Sequence, residues 1–307
     1  MRDAVAHLLA EREGTEAAVL LHSDRLALLC TLLAVLQPGD HLLVSRWLRP
    51  ATLDVFSTEA VRLGYDVQFI DPLEPRTWRQ GLRPTTRLLF VEAPVLATTR
   101  LVDLRPLRAL SQEAGLAFMI DATGASPAGF SPVTHGADLV LHDAAGLLDP
   151  EGDGAVGVVC GTESVVEEIT ARRDGLGAAP HPLAVTRLER GIATLALRVA
   201  HQAASAAWLA EAAPSLPRVR SVYYPGLPTH PDRAVAEALL PHGGTRLLLE
   251  FDDEDAVDRM CTMFPAPGEA PGTDSTIAPV AGAPQVTLAV GLEPVEAVLA
   301  SIARALA

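Results

Sequence analysis

Ala117-Phe118-Met119-Ile120-Asp121-Ala122-Thr123-Gly124-Ala125-Ser126-Pro127, followed by Gly136-Ala137-Asp138-Leu139-Val140-Leu141-His142-Asp143-Ala144-Ala145-Gly146, is the stretch on which the fold turns. Each half is a short apolar run that ends in a charged residue and a turn. Such runs, bounded by Gly and Pro and too short for helices, read as strands buried on both faces of a parallel sheet. The pattern repeats outward. Ala17–Leu21, His41–Ser45, Asp66–Ile70, Arg87–Glu92 and Val156–Cys160 are further strand candidates. Helical spacing falls between them at Leu26–Leu36, Ala51–Leu63, Leu104–Ala114 and Glu163–Ala171. Alternating strands and helices predict an α/β fold with helices on both faces of a mostly parallel sheet. The Pro- and Gly-rich stretch 175–182 closes this large domain, 1–182. A long amphipathic helix, about Leu183–Ala213, opens a smaller C-terminal α+β domain, 183–307. Its strands are expected at Val219–Tyr224, Thr245–Phe251 and Val286–Val290. Its helices are expected at Ala234–Leu240, Asp255–Met263 and Pro294–Ala305. Pro265–Pro284 reads as loop, and Gly152-Asp153-Gly154 as a turn.

The chain has 307 residues and no lysine; all 24 of its basic residues other than histidine are arginine. Its net charge of −14 argues against nucleic acid and anionic membranes as partners. No apolar run approaches the roughly 20 residues of a membrane helix, and the charged start lacks a signal-peptide core, so a cytoplasmic protein is expected. Cys30, Cys160 and Cys261 have neither metal-ligand nor disulfide spacing and read as buried thiols.

Several phrases fall in one order: Gly14-Thr15-Glu16, Gln37-Pro38-Gly39-Asp40, Glu92-Ala93-Pro94, Asp121 to Pro127, Gly136 to His142, Gly191 to Arg198, and Tyr224-Pro225-Gly226. Together they resemble the Cys/Met-metabolism family of pyridoxal 5′-phosphate (PLP) enzymes, which includes cystathionine γ-synthase and γ-lyase. The resemblance covers almost the whole chain. It implies a fold-type-I, PLP-transferase-like large domain and a dimer formed through it. It also implies that Asp121 is the residue that partners the pyridine nitrogen, and that the cofactor lysine belongs at position 146. Here that position is Gly146. Ser23-Asp24-Arg25 stands where the family has its phosphate-binding turn, with Asp24 in place of a glycine. Asp143 replaces a phosphate-contacting serine. Arg49 aligns with the tyrosine that stacks on the ring, Leu96 with an asparagine, and Thr287 with the substrate-binding arginine. No counterpart of the family's N-terminal arm is expected. On these departures no cofactor is expected, PLP included.

Asp121 should end its strand at the carboxyl edge of the sheet, where open α/β folds bind ligands. His22, Ser23, Asp24, Arg25, Arg49, Thr123 and Gly146 are expected to form a pocket around it. Asp121, His142 and Asp143 are its candidate acid–base groups. Asp24 is expected to cap a helix, and Arg25 or Arg49 to neutralise the carboxylates. Three carboxylates and a histidine also have the chemistry to hold a divalent metal. No spaced ligand motif accompanies them, and no metal is expected. Two functions compete on this reading. One is a non-catalytic homologue, a homodimer or a heteromer with a lysine-bearing paralogue. The other is a PLP-independent enzyme that uses the vacated, charged cofactor pocket in a specialised biosynthetic pathway.

Overall fold

The computed structural model describes residues 1–152, 156–265 and 272–307. The first seven strands form one sheet: β1 Ala17–Leu21, β2 His41–Ser45, β3 Asp66–Ile70, β4 Thr86–Glu92, β5 Ala117–Asp121, β6 Leu139–Asp143 and β7 Gly157–Gly161. Their spatial order is β1-β7-β6-β5-β4-β2-β3. Five of them, β3, β2, β4, β5 and β6, run parallel, while β7 is antiparallel to both of its neighbours. The helices among them are α1 Arg2–Glu13, α2 Asp24–Val35, α3 Pro50–Asp54, α4 Ala60–Arg62, α5 Pro75–Gln80, α6 Leu104–Ala114, α7 Ser126–Gly129 and α8 Glu163–Gly175. A π turn, Val55–Glu59, joins α3 to α4.

Alternation along the strands divides the apolar side chains between two cores. Val140 of β6 packs with Leu9 of α1 and Leu107 of α6 on one face. Leu139 and Leu141 pack with Leu28 of α2 and Ile169 of α8 on the other. Period-2 geometry makes this division unavoidable once both faces are covered. Helix ends follow their sequence signals. Ser23 Oγ accepts from Leu26 N–H at 3.2 Å and caps α2, Asp103 caps α6, and Gly115, in the left-handed region, closes α6.

The chain continues in α9, Pro182–Ala212, a single 31-residue helix. Beyond it lie β8 Val219–Tyr223, α10 Arg233–Leu239, β9 Arg246–Phe251, α11 Glu254–Met263, β10 Thr276–Pro279, β11 Gln285–Ala289 and α12 Val295–Leu306. The four strands make a second, antiparallel sheet in the order β10-β11-β9-β8. Tyr224 anchors this part to α9. Its ring is 2% exposed, and its hydroxyl stands within hydrogen-bond distance of the Ala203, His242 and Gly244 carbonyls. Arg100 joins the large sheet's loops to Asp232, with Nε to Oδ2 at 2.6 Å.

The architecture matches the expected fold class, with some elements corrected. The charged start is helix α1, because Val5, Leu9 and Glu13 turn inward on one face. The helix expected over 51–63 contains the π turn. The stretch read as loop, Pro265–Pro284, contains β10, which pairs with β11; residues 266–271 and most of the turn at 152–154 lie outside the described residues. Cys30 and Cys160 are buried, but Cys261 is exposed, on the outer side of α11. Among the described residues, no helix is long and apolar enough to cross a membrane.

Candidate functional site

Three neighbouring parallel strands end in acids at the same edge of the sheet: β4 in Glu92, β5 in Asp121 and β6 in Asp143. Glu92 lies in register with Asp121. The N-terminus of α2 brings a fourth acid, Asp24, and can come so close only because β7 offers Gly157 beneath it. A Cβ at that position would meet the Ser23 carbonyl oxygen and stand 2.6 Å from Asp24 N.

Arg49, the residue before α3, fills the space between these acids and is 2% exposed. Its Nη2 lies 3.0 Å from Asp121 Oδ2 and 3.3 Å from Asp24 Oδ2, and its Nη1 lies 3.5 Å from Asp143 Oδ2. Its backbone N–H donates to Glu92 Oε2 at 2.7 Å, while Leu96 N–H donates to Oε1 at 2.7 Å. Thr123 completes the lattice. Its Oγ1 donates to Asp121 Oδ1 at 2.6 Å and accepts from Asp143 N–H at 2.9 Å. One guanidinium thus serves a cluster of carboxylates that are expensive to bury without a counter-charge.

Glu92 carries the strain of that arrangement. Burial first, and the charge of Asp121 second, push its carboxyl up to about 7, against Arg49 and the two backbone donors. A carboxyl raised in the fold contributes stability below its unfolded value, 4.5, and loses that contribution as pH rises through about 7. The wild type should therefore lose stability over this window, by up to about 3 kcal/mol from this group. Glu92→Gln places an amide N–H₂ against a backbone N–H, a fixed cost without pH dependence. The stability gap between wild type and Glu92→Gln should accordingly shrink as pH rises from about 4.5 to about 7. Urea titrations across that range measure it; a constant gap would refute the assignment.

The loop after β6 is tight. Asp149 N–H donates to Ala144 O at 2.6 Å, Gly146 N–H to Asp149 O at 3.0 Å, and Gly146 has φ 88°. Arg198 of α9 holds it from behind, Nη2 to Leu147 O at 2.7 Å.

Of the expected pocket residues, the structure brings together Asp24, Arg49, Asp121, Thr123 and Asp143. The others are corrected. His142 faces the opposite side of the sheet, where its Nε2 meets Glu13 Oε1 at 2.5 Å with both side chains fully buried; neighbours on a strand point to opposite faces. His22 is exposed, and its N–H donates to Ala178 O. Arg25 turns outward to Asp54 at 2.6 Å and Glu59 at 3.1 Å, and does not offset the site's acids. Ser23, and not Asp24, caps α2, while Asp24 Oδ1 accepts from Arg25 N–H at 2.7 Å. Gly146 lies in the loop as a backbone turn. Thr287 donates to Ala278 O at 3.3 Å inside the small sheet. Glu92 was missed as a site residue, although strand register alone sets it beside Asp121. Among the described residues, no group of three or more His, Cys, Asp or Glu side chains is placed to hold a metal ion.

A family model for the Cys/Met metabolism PLP-dependent enzyme matches residues 1–264. The chain is 32% identical over 244 residues to O-succinylhomoserine sulfhydrylase of Pseudomonas aeruginosa, covering 80% of this chain and 60% of that protein. It is 33% identical over 247 residues to canavanine gamma-lyase of Pseudomonas canavaninivorans, covering 79% and 61%. It therefore spans about three fifths of the length of these relatives. The crystal structure of cystathionine gamma synthase from Xanthomonas oryzae pv. oryzae, in complex with aminoacrylate and cysteine, superposes with a TM-score of 0.93 at 27% identity. That match covers 99% of this chain and 84% of that one.

These comparisons overturn the expectation of no cofactor, because the matched family is one of PLP-dependent enzymes and points to PLP. The residues present do not fit that family's covalent attachment. The chain has no lysine, position 146 is a glycine at φ 88°, and Asp121 is held by Arg49.

Proposed function

This chain belongs to the Cys/Met metabolism family of PLP-dependent enzymes, and from that premise we propose that it is a subunit that does not run the lysine-dependent reaction by itself. It serves as a structural or regulatory partner, in a dimer with itself or with a lysine-bearing chain. The observation that carries this reading is the Arg49–Asp121 pair, 3.0 Å apart with 2% and 0% of the side chains exposed. The acid that the family resemblance assigns to the cofactor ring is spoken for inside the chain. The absence of any ε-amine supports the same reading, since an imine to this chain's own lysine has no nitrogen to form on. The alternative, an independent enzyme in the charged crevice, is favoured less, because each acid in the cluster is engaged and Arg49 and Asp121 are almost wholly buried.

Native mass spectrometry of the protein isolated from its own host tests the proposal. A complex with a lysine-bearing homologue, or a homodimer without turnover, is the expected result. A homo-oligomer that turns over a substrate of the family unaided would sink it.

Restoring the amine alone should not restore the chemistry. Gly146→Lys places a side chain at φ 88°, costing about 1–2 kcal/mol, and leaves Arg49 on Asp121. The variant should melt lower than wild type and show no imine absorbance when mixed with PLP. An imine band would show that Arg49 yields the site more readily than its burial implies.

A further inference from the structure

Helix α9 leaves one face uncovered. Ala193, Leu197, Ala200, Ala204 and Trp208 are exposed and recur at three- and four-residue steps, so they share a strip along the helix. Leu197 is 77% exposed and Trp208 41%. Between Arg190 and Glu211 no exposed position carries Asp, Glu or Arg; Arg198 is buried, with Nη2 on Leu147 O. The outer face of a water-facing helix is ordinarily charged, as on α8, where Glu163, Glu167, Glu168 and Arg172 are exposed. An uncharged strip about 32 Å by 12 Å, roughly 400 Å², is of the size that marks a contact surface.

The order of side chains along the strip selects the partner. A second α9 can be laid antiparallel across it, with a two-fold axis between Ala200 and His201. Leu197 then faces the second copy's Ala204, Trp208 faces its Ala193, and Arg190 faces its Glu211. Symmetry makes each contact twice. Both bulky apolar side chains meet an alanine, which lets the helices approach at a shallow crossing of about 20°. An Arg meets a Glu at each end. Both are exposed, and neither has an ion-pair partner within its own chain among the described residues. Sliding the second copy by one turn in one direction sets Leu197 on Trp208, and in either direction takes Arg190 off Glu211. One register therefore satisfies both size and charge.

We propose that this face of α9 is the seam of a homodimer, two copies of this chain packed antiparallel about that axis. The strip is smaller than the roughly 800 Å² per partner of a standard stable interface. The dimer is accordingly reversible, with a Kd on the order of 20 µM. The Arg49 cluster takes no part in the seam. The inference rests on the function proposed above only in its homodimeric form. Turnover by the homodimer would sink that function and leave the seam standing.

Sedimentation velocity of the purified full chain, from about 2 to 200 µM, is the test. Arg190→Glu and Glu211→Arg each set like charges together at both ends of the seam, and each should weaken association about thirtyfold. Mixed in equal amounts, the two variants should re-form a dimer of wild-type affinity, because each altered end then meets its opposite charge. Leu197→Glu should halve the mass of the wild-type assembly while circular dichroism stays native. A wild-type chain that is monomeric at about 200 µM overturns the proposal and leaves the face to a different partner. Charge variants that associate like wild type, or that fail to recombine on mixing, overturn it as well.

Discussion

Arg49→Ala is expected to destabilise the protein by about 3–5 kcal/mol, the largest effect of any single side-chain truncation at the site. The loss comes less from contacts removed than from charges abandoned. Asp121 is fully buried, and Asp24 and Asp143 are 16% and 10% exposed at their side chains. Without the guanidinium these acids and Glu92 stand together in a poorly solvated space, and each must repel its neighbours or take up a proton. The variant should therefore melt on the order of 10 °C lower at neutral pH, with part of the loss recovered in acid as the carboxylates protonate. Adding Asp143→Asn to Arg49→Ala should return some stability, because it deletes one of the stranded charges; independent costs would simply add. Thermal melts of the single and double variants decide it. A loss below about 1 kcal/mol for Arg49→Ala would mean that the acids are hydrated in solution.

Gly157→Ala is the second large effect, expected at about 3 kcal/mol or more. The added methyl is small, but what it strikes is backbone: the Ser23 carbonyl and Asp24 N, at the first turn of α2. Side chains can rotate away from a new neighbour; a capped helix start in contact with a sheet cannot. The variant should also shift Asp24 away from Arg49. Gly161→Ala, four residues along the same strand, is the comparison. There the nearest atoms are 2.9 Å away on the Leu139 side chain and 3.2 Å away on Asp138 O, and a loss of about 1 kcal/mol is expected. Urea denaturation of both variants measures the contrast, and equal losses would show that α2 does not depend on this close approach.

Much of the fold was legible because buried strands leave a plain signature. β5 and β6 are apolar runs with turns at both ends, and α6 is bracketed by Asp103 and Gly115, so its limits coincide with those expected. Other elements were hidden for physical reasons. The charges of α1 mask a narrow inward face, and Glu13 looks like surface until His142 is seen to receive it. β10 has four residues and ends in proline, too short for any period to show. Two errors at the site were avoidable from geometry alone. His142 and Asp143 are adjacent on a strand, so only one of them can face the crevice. Asp24 and Arg25 are adjacent on a helix, about 100° apart, so Arg25 had to look elsewhere. That an arginine, Arg25 or Arg49, neutralises the acids was legible, and the structure assigns the task to Arg49; its full set of partners was not, because the acids come from four separate segments meeting at one edge.

Helix α9 has a consequence for how the molecule melts. At about 1.5 Å per residue, its 31 residues make a continuous rod of about 46 Å. Val185, Leu188 and Ile192 are set in the core of the large sheet, and Ala206, Leu209 and Ala210 in the core of the small one. Neither sheet can lose its packing without stripping one end of a helix whose hydrogen bonds run unbroken into the other. A chain with two sheets would ordinarily invite two calorimetric transitions. Here the shared rod couples them, and heat should find one cooperative unit.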